Sequence, residues 1–359
     1  MKKIIFLNLL VFFVSTLLFQ SCDKDEYTPK GIYDGGVFIS NEGTFGQGNA
    51  SVSFYSIAGD SVVNNIFEKA NNRTLGDVVQ SLYVFNDKAY ICVNASNKIE
   101  IADQYNFNEL GVINELPSVR YFIGNDAGKG YASVWGDGGQ IKVLDLNTNT
   151  VSKSIDVGNG PEHMTIFSNK LYVANSGGFI DDNTISVIST ETDNLLKTIT
   201  LDGDKPVDLL TDKNSNLWVL CMGKTIYDAN WTPIDNTAAK LFKINTSTDE
   251  VEGTVILSPT AHPNNIEISA DGNYLYYGGG FGFNGIYKID IETLTVAVEP
   301  IISKYFYGFN IYENGEIFAT EATSYTDNGI LYRYQADGTF IQEYTVGIAP
   351  NGASYKRSK

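Results

Sequence analysis

The sequence is poor in the residues from which most reactive centres are built. Its 359 residues include two histidines, three cysteines, three methionines and nine prolines. Two histidines exclude a histidine-rich metal centre, and three cysteines exclude a disulfide framework and a four-cysteine zinc site. Positive charge is scarce as well, with 25 Lys and Arg against 42 Asp and Glu, a formal charge of −17. No local basic patch interrupts this excess, so the chain repels phosphate backbones and nucleic-acid binding is not expected. Glycine (34), tyrosine (22) and phenylalanine (20) are plentiful, and 43% of residues are hydrophobic. That is material for a large core, not for a disordered chain.

The N-terminus reads as an address. Lys2 and Lys3 precede an apolar run from Ile4 to Phe19. A membrane span needs roughly 20 apolar residues, so this shorter run reads as a signal-peptide core. The sequence Phe19-Gln20-Ser21-Cys22 resembles a bacterial lipobox, which makes Cys22 the lipidated residue of the mature chain. Residues 1–21 are then a lipoprotein signal peptide, and residues 22–33 a lipidated acidic tether. Asp23-Lys24-Asp25-Glu26 resembles the surface-export signal of Bacteroidetes lipoproteins, the alternative being a solvated tether. Loss of residues 1–21 leaves 23 basic and 42 acidic residues, or −19.

From residue 34 onward one pattern recurs. A short strand with an aromatic marker occurs seven times, at Phe38, Tyr90, Tyr131, Tyr172, Trp218, Tyr276 and Phe318, with separations of 52, 41, 41, 46, 58 and 42. Each marker strand is followed by an alternating strand, such as Gln140 to Asp145, then a polar turn and an outer strand. Each is preceded by another short strand, often led by proline, as at Pro161, Pro206 and Pro263. Four strands per unit of about 40 to 45 residues is the signature of a propeller blade. The expected fold is therefore all-β: a seven-bladed β-propeller of four-stranded antiparallel blades over residues 34–359. The first unit lacks an inner strand, and Pro350 to Tyr355 supplies one, so the C-terminal strand is expected to complete the first blade. Cys92 and Cys221 fall in blades far apart around the ring and read as small buried core residues.

Propeller function resides in the loops of one face. The loops after the marker strands and those entering the inner strands share that face. Trp135, His163, Phe179, Tyr227, Trp231, His262, Phe281, Phe283 and Tyr325 collect there, and they are the candidate ligand-binding residues. Aromatics among Gly, Asn and Asp make flat platforms edged with donors and acceptors, suited to a large, partly planar, amide-decorated or sugar-like ligand. The alternative is that several of them plug the channel or cover a blade end. The separation of 58 marks an insertion in the fifth blade that carries Tyr227 and Trp231. His163 and His262 read as repeat-related structural or ligand-binding residues, with an acid/base pair as the alternative.

Some propellers are lactonases that hold a divalent cation near the axis. Glu42, Asp181, Asp182, Asp208, Asn264 and Glu321 offer the residue types, but no spacing singles out a ligand set. The chain is therefore read as a binder and not an enzyme, with no catalytic residue, metal or resident cofactor expected.

The segments Gly-Asn-Gly-Pro-Glu-His-Met, Lys-Leu-Tyr-Val-Ala-Asn-Ser and Thr-Ile-Ser-Val-Ile-Ser resemble the YncE-like seven-bladed propellers of bacterial surface and periplasmic proteins. With the lipobox and acidic tether, the chain is similar to the surface lipoproteins of Bacteroides that capture vitamin B12. That resemblance implies a corrinoid ligand (cobalamin) and a TonB-dependent outer-membrane transporter as partner. It also implies residence at the outer membrane, facing outward, with membrane contact through the lipid anchor alone. A glycan- or other nutrient-binding propeller and a protein-binding scaffold remain the alternatives.

Overall fold

The computed structural model describes residues 28–125 and 128–356. The signal peptide, Cys22 and the tether up to residue 27 lie outside the described residues. Among the described residues no helix is long and apolar enough to cross a membrane.

The chain forms a seven-bladed β-propeller. Blade 1 contains β1 (Gly36–Asn41), β2 (Ser51–Ser56) and β3 (Ser61–Val63), and its inner strand is the last of the chain, β30 (Pro350–Ser354). Blade 2 is β4 (Val79–Phe85), β5 (Lys88–Val93), β6 (Lys98–Asp103) and β7 (Glu109–Ile113). Blade 3 is β8 (Val119–Gly124), β9 (Lys129–Val134), β10 (Gln140–Asp145) and β11 (Thr150–Asp156). Blade 4 is β12 (Pro161–Phe167), β13 (Lys170–Asn175), β14 (Thr184–Ser189) and β15 (Leu195–Thr200). Blade 5 is β16 (Pro206–Thr211), β17 (Asn216–Cys221), β20 (Ala239–Asn245) and β21 (Glu250–Ser258), with the hairpin β18 (Thr225–Tyr227) and β19 (Pro233–Asn236) inserted. Blade 6 is β22 (Asn265–Ile268), β23 (Tyr274–Gly278), β24 (Asn284–Asp290) and β25 (Ile302–Tyr305). Blade 7 is β26 (Gly308–Ile311), β27 (Ile317–Glu321), β28 (Asn328–Tyr334) and β29 (Phe340–Ile348). A short helix, α1 (Ile66–Asn71), links the first two blades and buries Ile66 and Phe67 against them.

The recurring aromatics are explained by this packing. The side chains of each blade's middle strands face its neighbours, so apolar clusters form between blades. Phe38 and Phe54 of blade 1, for example, share a cluster with Leu82 and Ile91 of blade 2. Three marker tyrosines also tie neighbouring blades through their hydroxyls, Tyr276 by donating to the Ala336 carbonyl at 3.3 Å and the other two by donating to a carboxylate. Tyr131 donates to Asp193 Oδ1 at 2.7 Å and Tyr172 to Asp249 Oδ1 at 2.7 Å, in each case the outer turn of the next blade. Lys129 and Lys170 reach the same carboxylates, at 2.7 Å each. Burying an aromatic body while its polar tip finds a partner is what selects tyrosine here. Cys92 and Cys221 are free and buried in separate clusters, as the repeat alignment implies.

Candidate functional site

The inner strands present their free edges to a central channel whose cavity measures about 1550 Å³. One end of it is shaped by a backbone device repeated in five blades. The residue just before the inner strand takes positive φ: Val78 (60°), Ser118 (53°), Gly160 (55°), Lys205 (56°) and Ala349 (48°). In each case its carbonyl accepts from the first N–H after the marker strand, at Asn94, Trp135, Ser176, Met222 and Glu42, over 2.7–3.2 Å. A left-handed β-branched residue such as Val78 costs about 1–2 kcal/mol, so the surrounding turn must impose it. The kink is followed by a break in strand register that leaves Gln80, Arg120 with Tyr121, Glu162 with His163, Val207, and Asn351 outside the ladder. β-Bulges re-aim side chains in this way. Here all but Val207 carry polar groups to the channel mouth.

These side chains close a belt of contacts around the ring. Asn351 Nδ2 donates to the carbonyls of Val79 (3.1 Å) and Gln80 (2.9 Å), joining blade 1 to blade 2. Ser81 Oγ donates to the Arg120 carbonyl at 2.7 Å, and the Arg120 guanidinium pairs with Glu162 at 3.0 Å. His163 Nδ1 lies 3.2 Å from Asp208 Oδ1, and Asp208 Oδ2 accepts from the Ile266 N–H at 2.9 Å. Asn265 Oδ1 accepts from the Phe309 N–H (3.0 Å), and Asn310 Oδ1 from the Ala353 N–H (2.7 Å). All seven junctions are thus crossed, and strand edges that would otherwise be unpaired are satisfied by the next blade.

Glu42 enters the same mouth from the loop after β1. Its Oε1 accepts from Tyr307 Oη at 3.0 Å and from Asn351 Nδ2 at 3.1 Å. Burial raises the affinity of its carboxyl for a proton, against the opposing pull of those two donors and of Arg120. Burial works against the Arg120 charge, but Glu162 outweighs it and keeps the guanidinium firmly protonated. Burial also pushes the Tyr121 phenol well above its ordinary value. The mouth therefore presents carboxylate, guanidinium, amide, imidazole and phenol groups, an assortment of donors and acceptors with no single dominant charge.

The residues expected from the sequence divide among several places. His163 and Tyr325 line the cavity. Trp135 stands behind the mouth, 4.2 Å from the Arg120 guanidinium and edge-on to Phe179, with its Nε1 buried and unpartnered. Phe179, Phe281 and Trp231 project from the rim, 95%, 90% and 82% exposed. Tyr227 is exposed beside Trp231, with ring centroids 6.1 Å apart. Phe283 departs from expectation: positive-φ glycines at 280 and 282 turn the chain inward, and its ring is buried against Tyr277 and Tyr287 in the core.

His262 serves the insertion in blade 5. Its Nδ1–H donates to the Met222 carbonyl at 2.8 Å and its Nε2 lies 3.0 Å from Asn236 Oδ1, pinning both ends of the hairpin segment. His262→Ala is expected to leave the global melt nearly unchanged while raising chymotryptic cleavage at Tyr227 and Trp231 roughly tenfold, the loss of the hydrogen bond to Met222 and of the ring's packing at Asn236 against local opening. Equal cleavage rates in both proteins would show that the hairpin is held by other contacts.

Of the carboxylates considered as lactonase-type ligands, Glu42 and Asp208 line the channel, whereas the other three are committed elsewhere. Asp181 pairs with Lys224 (2.7 Å), Asp182 accepts from the backbone of its own turn, and Glu321 pairs with Lys304 (3.1 Å) and Tyr332 (2.7 Å). From the sequence, Glu42 is offered only as a lactonase-type cation ligand, and Gln80, Arg120, Tyr121, Glu162 and Asn351 are missed. For Glu162 and Asn351 the signal available is the proline that leads their inner strands, Pro161 and Pro350.

A family model described as a domain of unknown function, DUF5074, matches residues 35–348. No curated protein matches the sequence. Solved structures match the fold at low identity. A putative 6-phosphogluconolactonase from Bacteroides fragilis NCTC 9343 is 14% identical with a TM-score of 0.64, over 90% of this chain and 98% of that one. A quinonprotein alcohol dehydrogenase-like protein from Bacteroides thetaiotaomicron VPI-5482 is 15% identical with a TM-score of 0.63, over 89% and 78%. The Kuenenia stuttgartiensis hydrazine synthase is 14% identical with a TM-score of 0.62, over 76% and 88%. Names so diverse at such identities speak for the fold alone.

Proposed function

The chain belongs to the DUF5074 family, and from that premise and the site above we propose that it is a surface lipoprotein that captures a corrinoid. It then hands the ligand to a TonB-dependent outer-membrane transporter. The observation that carries this reading is the channel mouth: a wide cavity, walled by mixed donors and acceptors, beneath a rim of exposed aromatics. A corrin disc edged with amides asks for flat apolar contacts and for partners that both donate and accept. The channel behind the mouth, about 1550 Å³ over its whole length, leaves room for a ligand at the upper end of the roughly 300–1,000 Å³ of ordinary small-molecule sites. The closed belt supports a preformed site, which lowers the ordering cost of binding. Cys22 is the lipid attachment point on this reading, and the acidic tether directs the protein to the outer face.

Calorimetric titration with cyanocobalamin tests the reading. Trp231→Ala and Phe281→Ala are each expected to weaken binding by about 1–2 kcal/mol, roughly 5- to 30-fold, as truncation of exposed anchors that fold over a ligand would. Unchanged affinity in both variants would confine the contact to the mouth and remove the rim from the account. The exposed rim aromatics also suit sugar stacking, so a glycan panel belongs in the same titration.

A further inference from the structure

Among the described residues no three His, Cys, Asp or Glu side chains gather closely enough to hold a metal ion. One imidazole nevertheless has the surroundings of a metal ligand. His163 Nδ1 lies 3.2 Å from Asp208 Oδ1. That carboxylate is fixed in turn by the N–H groups of Leu209 (2.8 Å) and Ile266 (2.9 Å) and by Asn265 Nδ2 (3.1 Å). The imidazole packs on the Tyr121 ring with centroids 3.7 Å apart, which restricts its rotation. Nε2 has no hydrogen-bond partner among the described residues, and the side chain is 35% exposed within the channel. Burial, helped by Arg120, pushes the His163 pKa down to about 4, so the ring is neutral at physiological pH and Nε2 keeps its lone pair. A carboxylate behind one nitrogen and an open position at the other is the arrangement found behind metal-bound histidines.

A single ligand of this kind does not retain a free divalent ion, which asks for three or four protein ligands. It suits a metal whose in-plane positions are already filled by the molecule that carries it. Resting on the corrinoid reading above, we propose that His163 Nε2 takes an axial position on the cobalt of the bound corrinoid, displacing water. The Co–O bond to that water breaks, the Co–N bond forms and the water leaves. The oxidation state of cobalt is unchanged, and the neutral imidazole has no proton to release from Nε2. Asp208 acts as a positioning residue through His163.

The test uses diaquacobinamide, a corrinoid without a nucleotide base of its own, and dicyanocobinamide, whose axial positions are blocked. After reduction of the bound diaqua form to Co(II), electron paramagnetic resonance should show three-line splitting from one axial ¹⁴N, changing to two lines when the protein carries ¹⁵N-histidine. Both ring nitrogens of His262 are engaged by Met222 and Asn236, so the label reports His163. His163→Ala should abolish the splitting and weaken the diaqua form at least about tenfold while leaving the dicyano form unchanged. The labelled wild-type protein keeps the test decisive if that variant does not fold. Corrinoid bound without nitrogen splitting, or with the same splitting in His163→Ala, overturns the axial assignment and leaves the corrinoid reading standing. Failure of both cobinamides to bind overturns this assignment, and failure of cyanocobalamin to bind as well overturns the corrinoid reading with it. Binding of hemin instead, with a His163-dependent spectrum, overturns cobalt as the metal.

Discussion

A chain ending at Ala349 is expected to lose its cooperative thermal transition altogether. The ten residues removed are few, but they include the inner strand of blade 1, which pairs with β1 from Phe38↔Ser354 to Asn41↔Pro350. The same strand carries contacts to both neighbours of that blade. Ala353 N–H donates to Asn310 Oδ1 (2.7 Å), Tyr355 Oη to the Ile311 carbonyl (2.9 Å) and Ser354 Oγ to the Leu82 carbonyl (2.6 Å). Asn351 adds its bonds to Glu42, Val79 and Gln80. At about 1 kcal/mol net for each hydrogen bond, and with buried Pro350 and Ala353 lost as well, the sum reaches the roughly 5–15 kcal/mol of a whole domain. Two open sheet edges are also created, each a template for aggregation. Circular dichroism melts of the full and truncated chains decide the point; a cooperative transition at the same temperature in both would mean that the ring does not depend on its closing strand.

Arg120→Ala carries the second large effect, an expected loss of about 3–5 kcal/mol in urea denaturation. Arg120 and Glu162 are each largely withdrawn from solvent, 18% and 8% exposed, and they form the charged link between blades 3 and 4 at the channel mouth. Removing the guanidinium leaves Glu162 buried without its counter-charge, strips Gln80 Oε1 of a donor and leaves the Trp135 ring without the cation over its face. The cost belongs to the orphaned partner more than to the pair. Arg120→Met combined with Glu162→Leu is therefore expected to recover much of the stability, since apolar replacements of a buried ion pair are often neutral or better. A double variant as unstable as the single one would show that the pair itself, not the orphaned charge, holds the two blades together.

The fold was legible because a propeller repeats its chemistry. Seven aromatic markers, each buried between blades, left a period in the sequence, and the proline-led segment at 350 disclosed the closure. The site was less so, for a physical reason. The kink that aims Gln80, Arg120, Glu162 and Asn351 into the mouth is set by positive φ and a register break. Five different residue types, Val78, Ser118, Gly160, Lys205 and Ala349, occupy that position, so composition does not mark it. Phe283 shows the complementary failure: a phenylalanine in a glycine-rich loop reads as exposed, yet the turn directs it into the core while Phe281, two residues earlier, points out. His163 and His262 read as a repeat-related pair, but the first faces the channel and the second pins a hairpin. Their surroundings, not their spacing, separate the roles.

The central claim is that the channel mouth captures a corrinoid. Isothermal titration of the purified protein with cyanocobalamin, run beside a glycan panel, tests it most directly. The account predicts saturable one-to-one binding of cyanocobalamin well below micromolar dissociation constants, with no heat from the glycans. Absence of cobalamin binding at micromolar concentration would contradict it, and binding of a glycan in its place would reassign the aromatic rim to sugar.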